Sequence, residues 1–316
     1  MALLNWSDSQ PGTNVARAAP LGLARVLELH EAWLGEQANG VRANLRGQVF
    51  NDCKLRQLNL RKAVLDFTSW LDADLSGADL SGARLEQADL RRAMLLRADL
   101  TAAELIGSLF DFAWLTGANL SEAPVRNSLF RKAGLAETRW AEAPIDQTDF
   151  SGAVLKDAGF HHARITESVF SGADMENTVL YHARIQFSRF TGTVLISANF
   201  GMAHLLTCDF TRADASNARF HKADLTRSAF DSADLRGCDF REAKLSGTVF
   251  SGACLSGSRF GGANLWTADL RNADLRGARE LTGEQLMQAR TDNRTVLPDG
   301  RPGPYIKNSG AERPFR

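Results

Sequence analysis

One feature constrains this chain more than any other: a strict period of five. Every fifth residue from Leu45 to Leu275 gives 47 positions, and 46 of them carry Leu, Phe, Ile, Val, Met or Trp; Ala215 is the exception. Two residues earlier, from Ala43 to Ala273, 45 of 47 positions carry Ala, Ser, Thr or Cys, with only Gln48 and Leu58 larger. No insertion or deletion interrupts the register. A helix would need a period of 3.6 and a strand a period of 2. A five-residue unit with one large and one small inward side chain instead fits a chain that turns a corner every five residues. Four units then close a square coil of twenty residues, stacked on the next through parallel backbone hydrogen bonds about 4.8 Å apart.

Sorting the large residues modulo twenty supports the square. One side reads Phe50, Trp70, Leu90, Phe110, Phe130, Phe150, Phe170, Phe190, Phe210, Phe230, Phe250, Leu270; we call it the phenylalanine face. The side before it, Leu45 through Val125, Ile145, Ile165 and Ile185 to Leu265, has no aromatic residue. The side opposite the phenylalanine face turns aromatic late, at Trp140, Phe160, Phe200, Phe220, Phe240 and Phe260. The fourth, the leucine face, is aliphatic apart from Ala215. Like stacks on like along each side. The predicted structural core is therefore Phe50, Phe130, Phe150, Phe170, Phe190, Phe210, Phe230 and Phe250.

Units such as Ala73-Asp74-Leu75-Ser76-Gly77 and Ala273-Asp274-Leu275-Arg276-Gly277 resemble the A(D/N)LxX consensus of pentapeptide-repeat proteins, over about three quarters of the chain. The resemblance implies an all-β fold, a right-handed quadrilateral parallel β-helix of about 12 coils, a hand that agrees with the rule for parallel crossovers. Short helical caps are expected at both ends, because an open coil end exposes apolar side chains and unpaired backbone. The expected organisation is an N-terminal segment over 1–40 with a helix at about 21–34, the solenoid over 41–280, and 281–316 as a helix at about 282–290 followed by an extended tail. The first helix rests on the helical spacing of Leu23, Val26, Leu27, His30, Trp33 and Leu34. Its His-x-x-Trp-Leu pattern is similar to a leader of bacterial family members. The second rests on the Thr282–Gln285 capping-box pattern. Pro124 and Pro144 stack on one side, and a local irregularity is expected there because proline removes a ladder donor.

Charge narrows the functional classes. The 37 basic and 37 acidic residues cancel, and within 41–280 the balance is 29 against 29. Phosphate tracking needs a continuous basic stripe, so nucleic acid is not an expected partner. No apolar run is long enough for a membrane span, and no signal peptide is read at the N-terminus. The four cysteines, Cys53, Cys208, Cys238 and Cys254, form no CxxC pair, which points to a reducing compartment and, with the resemblance, to a bacterial cytoplasm. No nucleophile elbow, phosphate loop or metalloprotease motif occurs, so no catalytic residue and no cofactor is assigned.

Two surface clusters follow from the twenty-residue rule. Glu142, His162 and His182 take equivalent outward positions in three successive coils, with His161, Tyr181 and His221 alongside. A carboxylate and two imidazoles are candidate metal ligands. The alternative, a solvated polar ladder, is the favoured reading, because two imidazoles seldom suffice for a tight site. Met94, Leu96, Ile106, Leu109, Phe112 and Trp114, on outward positions of coils three and four and spread around three sides, are the candidate partner-binding residues, since contiguous exposed apolar area marks interaction surfaces. Coverage by the N-terminal segment around Trp6, or by the C-terminal tail, is the competing explanation. The sequence thus reads as a non-enzymatic rigid scaffold for a protein partner, with a homodimer left open. The alternatives are a DNA-mimicking modulator of DNA gyrase or topoisomerase, which the family's quinolone-resistance branch suggests and the neutral charge disfavours, and a secreted effector or secretion-associated adaptor.

Overall fold

A computed structural model describes residues 22–314; Met1–Gln10, Trp6 included, lies outside the described residues. Parallel bridges link residues twenty apart from Asn44↔Val64 to Arg259↔Arg279 without a slip in register. The chain is a parallel β-solenoid. Each side contributes little strand, because the chain turns again after three extended residues. The repeating unit is a turn in which the N–H two residues before one large residue donates back to the carbonyl of the previous one, as from Ala73 to Trp70 at 2.9 Å. The second central residue of that turn has a positive φ, 58° at Asp72 and 60° at Phe112, which is type II geometry. Glycine serves at corners such as Gly237, where a Cβ would meet Asn217 Oδ1 at 2.6 Å.

The family consensus has a local cause here. Aspartate just before the large residue accepts from the backbone N–H two positions on, as Arg236 donates to Asp234 Oδ1 at 3.2 Å and Arg271 to Asp269 Oδ1 at 3.1 Å. Such Asx turns preset the corner that follows.

The interior is a set of ring columns. Phe110, Phe130, Phe150, Phe170, Phe190 and Phe210 stack with centroid spacings of 4.6, 5.1, 4.8, 4.9 and 4.7 Å. Phe200, Phe220 and Phe240 form a second column and meet the first edge to face, as Phe200 does Phe210 at 6.0 Å. All are fully buried. Offset stacks and edge-to-face pairs suit the ring quadrupole. The two buried indoles, Trp70 and Trp140, each find a threonine in the small slot two residues earlier: Nε1 donates to Thr68 Oγ1 at 2.7 Å and to Thr138 Oγ1 at 2.9 Å. Several hydroxyls in other small slots donate to a carbonyl in the preceding coil, as Thr193 does to Phe170 at 2.8 Å.

The side without aromatics is the strand face. It carries β1 (Leu105–Ile106), β2 (Val125–Arg126), β3 (Pro144–Asp146), β4 (Arg164–Thr166), β5 (Arg184–Gln186) and β6 (His204–Leu206), paired in that order as one parallel sheet. β-Branched residues at four of its six centres, Val125 to Ile185, favour extended backbone. The following corner opens: Ser108, Thr148, Ser168 and Cys208 turn their N–H groups to the hydroxyl one coil ahead, Thr148 to Ser168 Oγ and Ser168 to Ser188 Oγ both at 3.2 Å. At Pro124 the bridge is missing, yet Val125 still pairs with Ile145 and Pro144 with Arg164. The irregularity expected at the prolines is a lost donor with no shift in register.

Both ends of the solenoid meet other structure. Helix α1 (Leu23–Leu34) places a fully buried His30 against the first coil. Nδ1 accepts from Ala43 N–H and Nε2 lies on Arg61 O, each at 3.0 Å. The accepting Nδ1 fixes the proton on Nε2. Burial pushes this imidazole's pKa below its ordinary 6.5, because the charged form loses hydration. Helix α2 (Gly283–Gln288) opens with the Thr282–Gln285 capping box. Gln285 Nε2 donates to the carbonyls of Phe260 and Ala263, both at 2.8 Å. The segment beyond α2, expected as an extended tail, lies against the end of the solenoid. It rejoins the ladder, with Arg290 on Asp269 and Val296 on Asp274, and then folds back antiparallel at Val296↔Pro302. Among the described residues no helix is long and apolar enough to cross a membrane.

Candidate functional site

A shallow groove of about 430 Å³ runs along the corner between the late-aromatic face and the strand face. Two columns line it. Glu142, His162 and His182 stack along the corner, all at positive φ of 57° to 59°. Arg164, Arg184 and His204, the first residues of β4, β5 and β6, stack beside them on the strand face. The solenoid register sets both columns, since each member sits one coil beyond the last through bonds such as Arg184 N–H to Ala163 O at 2.9 Å.

The His162 and His182 rings lie parallel with centroids 5.0 Å apart. Tyr181 meets His182 edge-on at 4.4 Å, and its hydroxyl approaches Met202 Sδ at 3.3 Å. The structure therefore brings together the three residues singled out as metal ligands. Among the described residues, however, no group of three or more His, Cys, Asp or Glu is arranged to hold a metal ion. What the corner column alone could not reveal is Arg164, Arg184 and His204. The twenty-residue arithmetic stacks these three on one another, but it does not place their column against the histidines.

The apolar candidates separate. Met94 bridges Trp114 on the leucine face, with half-buried Leu96 near them. Trp114 spreads over Gly134, where an added Cβ would stand 3.5 Å from Cε3. Phe112 projects from the corner between the leucine and phenylalanine faces, 51% exposed, and Trp114 is 41% exposed. Leu109 lies on the phenylalanine face and Ile106 in β1 on the strand face, so these two are not part of the same patch. A hollow of about 390 Å³ adjoins Phe112, lined by Leu71, Arg91, Arg92, Asp111 and Arg131. Its arginines are paired: Arg131 with Asp111 at 2.7 Å, Arg91 with Asp89 at 2.7 Å, and Arg92 with Asp72. Lys132 Nζ sits 5.6 Å over the Phe112 ring.

The pentapeptide-repeat model matches repeatedly, over residues 71–105, 95–131, 145–172, 160–195, 188–227, 223–262 and 253–283. The chain belongs to the pentapeptide-repeat family. Solved structures similar to this pentapeptide-repeat protein include HetL, involved in heterocyst differentiation regulation in the cyanobacterium Nostoc, at 22% identity over 87% of this chain and 98% of that one, with a TM-score of 0.35. QnrB1, a plasmid-mediated fluoroquinolone resistance protein, is 22% identical over 60% and 89% of the two chains, with a TM-score of 0.27. A pentapeptide repeat protein of the Arabidopsis thaliana thylakoid lumen is 34% identical over 28% and 65%, with a TM-score of 0.23. No curated protein matches the chain.

The cysteines of this pentapeptide-repeat protein form no disulfide. Cys53, Cys208 and Cys238 fill small slots and are buried, whereas Cys254 precedes a large residue and is partly exposed. Burial pushes the Cys208 thiol up to about 12 and the Cys238 thiol higher still. Because the thiolate is the reactive form, a thiol reagent at pH 8 should modify Cys254 alone in the folded protein and all four after denaturation. Prompt labelling of Cys208 in native buffer would contradict this packing.

Proposed function

We propose that this chain is a non-enzymatic scaffold that holds a rigid face toward a protein partner, with Phe112, Trp114 and the hollow beside Leu71 as the contact. One observation carries the reading. Phe112 keeps a half-exposed aromatic ring at a left-handed corner, φ 60°, where the corners one coil before and after carry the polar residues Arg92 and Lys132. The left-handed backbone is common to the corners of this fold, so the exposed apolar ring itself, not the strain of roughly 1–2 kcal/mol, is the signal of a contact. The surroundings match an interface: apolar Leu71 and Phe112 lie beside neutralised Arg–Asp pairs, with Trp114 exposed on the adjoining leucine face. The expected partner presents an apolar side chain to the hollow and hydrogen-bonding groups to the rim. The filled ring columns inside the solenoid support a structural rather than catalytic role, and the unlinked thiols suit a reducing cytoplasm.

The test separates binding from stability. Phe112→Gly should leave the unfolding midpoint unchanged or raise it, by about 1 kcal/mol of relieved strain, and should abolish retention of a specific partner captured by the wild type. Trp114→Ala should weaken retention as well. A partner retained equally by both variants would remove this surface from consideration.

A further inference from the structure

We propose that the groove between the late-aromatic and strand faces is a binding site for a phosphoryl oxyanion, seated on Arg164 and Arg184 and flanked by His182 and His204. The proposal stands apart from the protein-docking reading, because this groove lies on the corner diagonally opposite Phe112.

The argument starts from the slot that Arg164 and Arg184 occupy. In this solenoid the residue before the large one is often aspartate, and an arginine two positions on is then neutralised by it. Arg236 and Asp234, Arg241 and Asp239, Arg271 and Asp269, and Arg276 and Asp274 all pair this way, within 2.5–2.6 Å. In β4, β5 and β6 the slot reads Arg164, Arg184, His204, and the residues two positions on are Thr166, Gln186 and Leu206. The slot has been inverted from acceptor to donor in three successive coils. Among the described residues no carboxylate forms an ion pair with Arg164 or Arg184.

Stacked like charges on adjacent strands are unfavourable. Arg164 pairs directly with Arg184 across β4 and β5, and Arg184 with His204 across β5 and β6. At a rung spacing of about 4.8 Å, two guanidinium groups can grip one tetrahedral anion from adjacent coils. Each offers five N–H donors in a planar fork suited to phosphate. Imidazole N–H groups on His182 and His204 add donors from the second column and from the next rung. The rest of the lining reinforces the location. Glu142, its sole carboxylate, stands at the opposite end of the corner column. Asp224, the next residue beyond His204 in the strand-face column, is already engaged with Lys244 at 3.5 Å and Thr226 Oγ1 at 2.6 Å. An anion therefore has a seat away from Glu142, on a backbone platform held in strand register.

The shared chemistry is a phosphoryl dianion, supplied either as free phosphate or as a phosphorylated side chain on a peptide. The experiment uses the full chain at low ionic strength and isothermal titration with three probes: inorganic phosphate, a phosphoserine peptide and the same peptide with plain serine. Saturable binding of phosphate, or of the phosphopeptide over its unmodified form, is expected, and the tighter of the two names the source. Arg184→Gln should weaken it about tenfold or more, the scale of a lost charge-assisted bidentate contact. Glu142→Gln should strengthen it several-fold by removing the carboxylate that lines the groove. Both positions are exposed, so neither variant should disturb folding, and an unchanged unfolding midpoint verifies that. No saturable binding of either phosphorylated probe, equal binding of acetate, or affinity indifferent to Arg184→Gln would overturn the proposal.

Discussion

Phe170→Ala is expected to destabilise the solenoid by about 3–5 kcal/mol, the range for deleting a buried phenylalanine. The ring is sandwiched between Phe150 at 4.8 Å and Phe190 at 4.9 Å and meets the edge of Phe160 at 6.4 Å. Alanine would open a gap on three sides. The coils above and below cannot collapse into it, because their spacing is fixed by backbone bonds such as Phe170 N–H to Arg189 O at 2.7 Å. Phe170→Leu, which keeps most of the volume, should cost much less, about 1.5 kcal/mol or under. Because each coil packs only on its neighbours, the damage should be local. Hydrogen exchange should accelerate in the coils around residue 170 and stay unchanged near residue 60. Urea denaturation is the primary measurement; a loss below 1 kcal/mol would mean that the ring column is not the continuous support described here.

His30→Leu should have the second-largest effect, about 2–4 kcal/mol, by leaving the buried Ala43 N–H without its partner, at about 1–3 kcal/mol for a buried group, and the part-buried Arg61 carbonyl without its own. The same residue makes stability pH-dependent. In the fold the imidazole is held neutral, with its pKa lowered by burial; in the unfolded chain it takes a proton near the ordinary value of 6.5. The unfolded state therefore binds more protons, and stability rises with pH across the interval between the two values. His30's contribution is complete above about 6.5 and declines as the pH falls toward the folded-state value. Wild type should lose part of its advantage over His30→Leu between pH 7.5 and pH 5. A constant difference over that range would show that His30 does not hold the end of the solenoid.

Much of this was legible in the sequence because the repeat never slips. A fixed twenty-residue coil turns vertical neighbours into arithmetic, which placed Phe130, Phe150 and Phe170 in one column and His162 beside His182. What escaped had other causes. Arg164, Arg184 and His204 belong to a different column, and their proximity to the histidines depends on how sharply the chain turns at the corner, which no periodicity encodes. The left-handed φ at corner residues as bulky as Phe67, Phe112 and Phe187 runs against residue preference; the tertiary ladder imposes it. Beyond α2 the period of five is lost, so the return of Arg290 and Val296 to the ladder was invisible to a pattern search.

The unbroken register has a last consequence for how the two proposed contacts relate. The Phe112 hollow and the Arg184 groove are attached to one rigid scale graduated in rungs. Excising a block of twenty residues between them, or adding one, would slide the two contacts together or apart by a single graduation of about 4.8 Å while each kept its own compass bearing around the axis. A partner that spans both could thus be measured against the protein as against a ruler, one coil at a time.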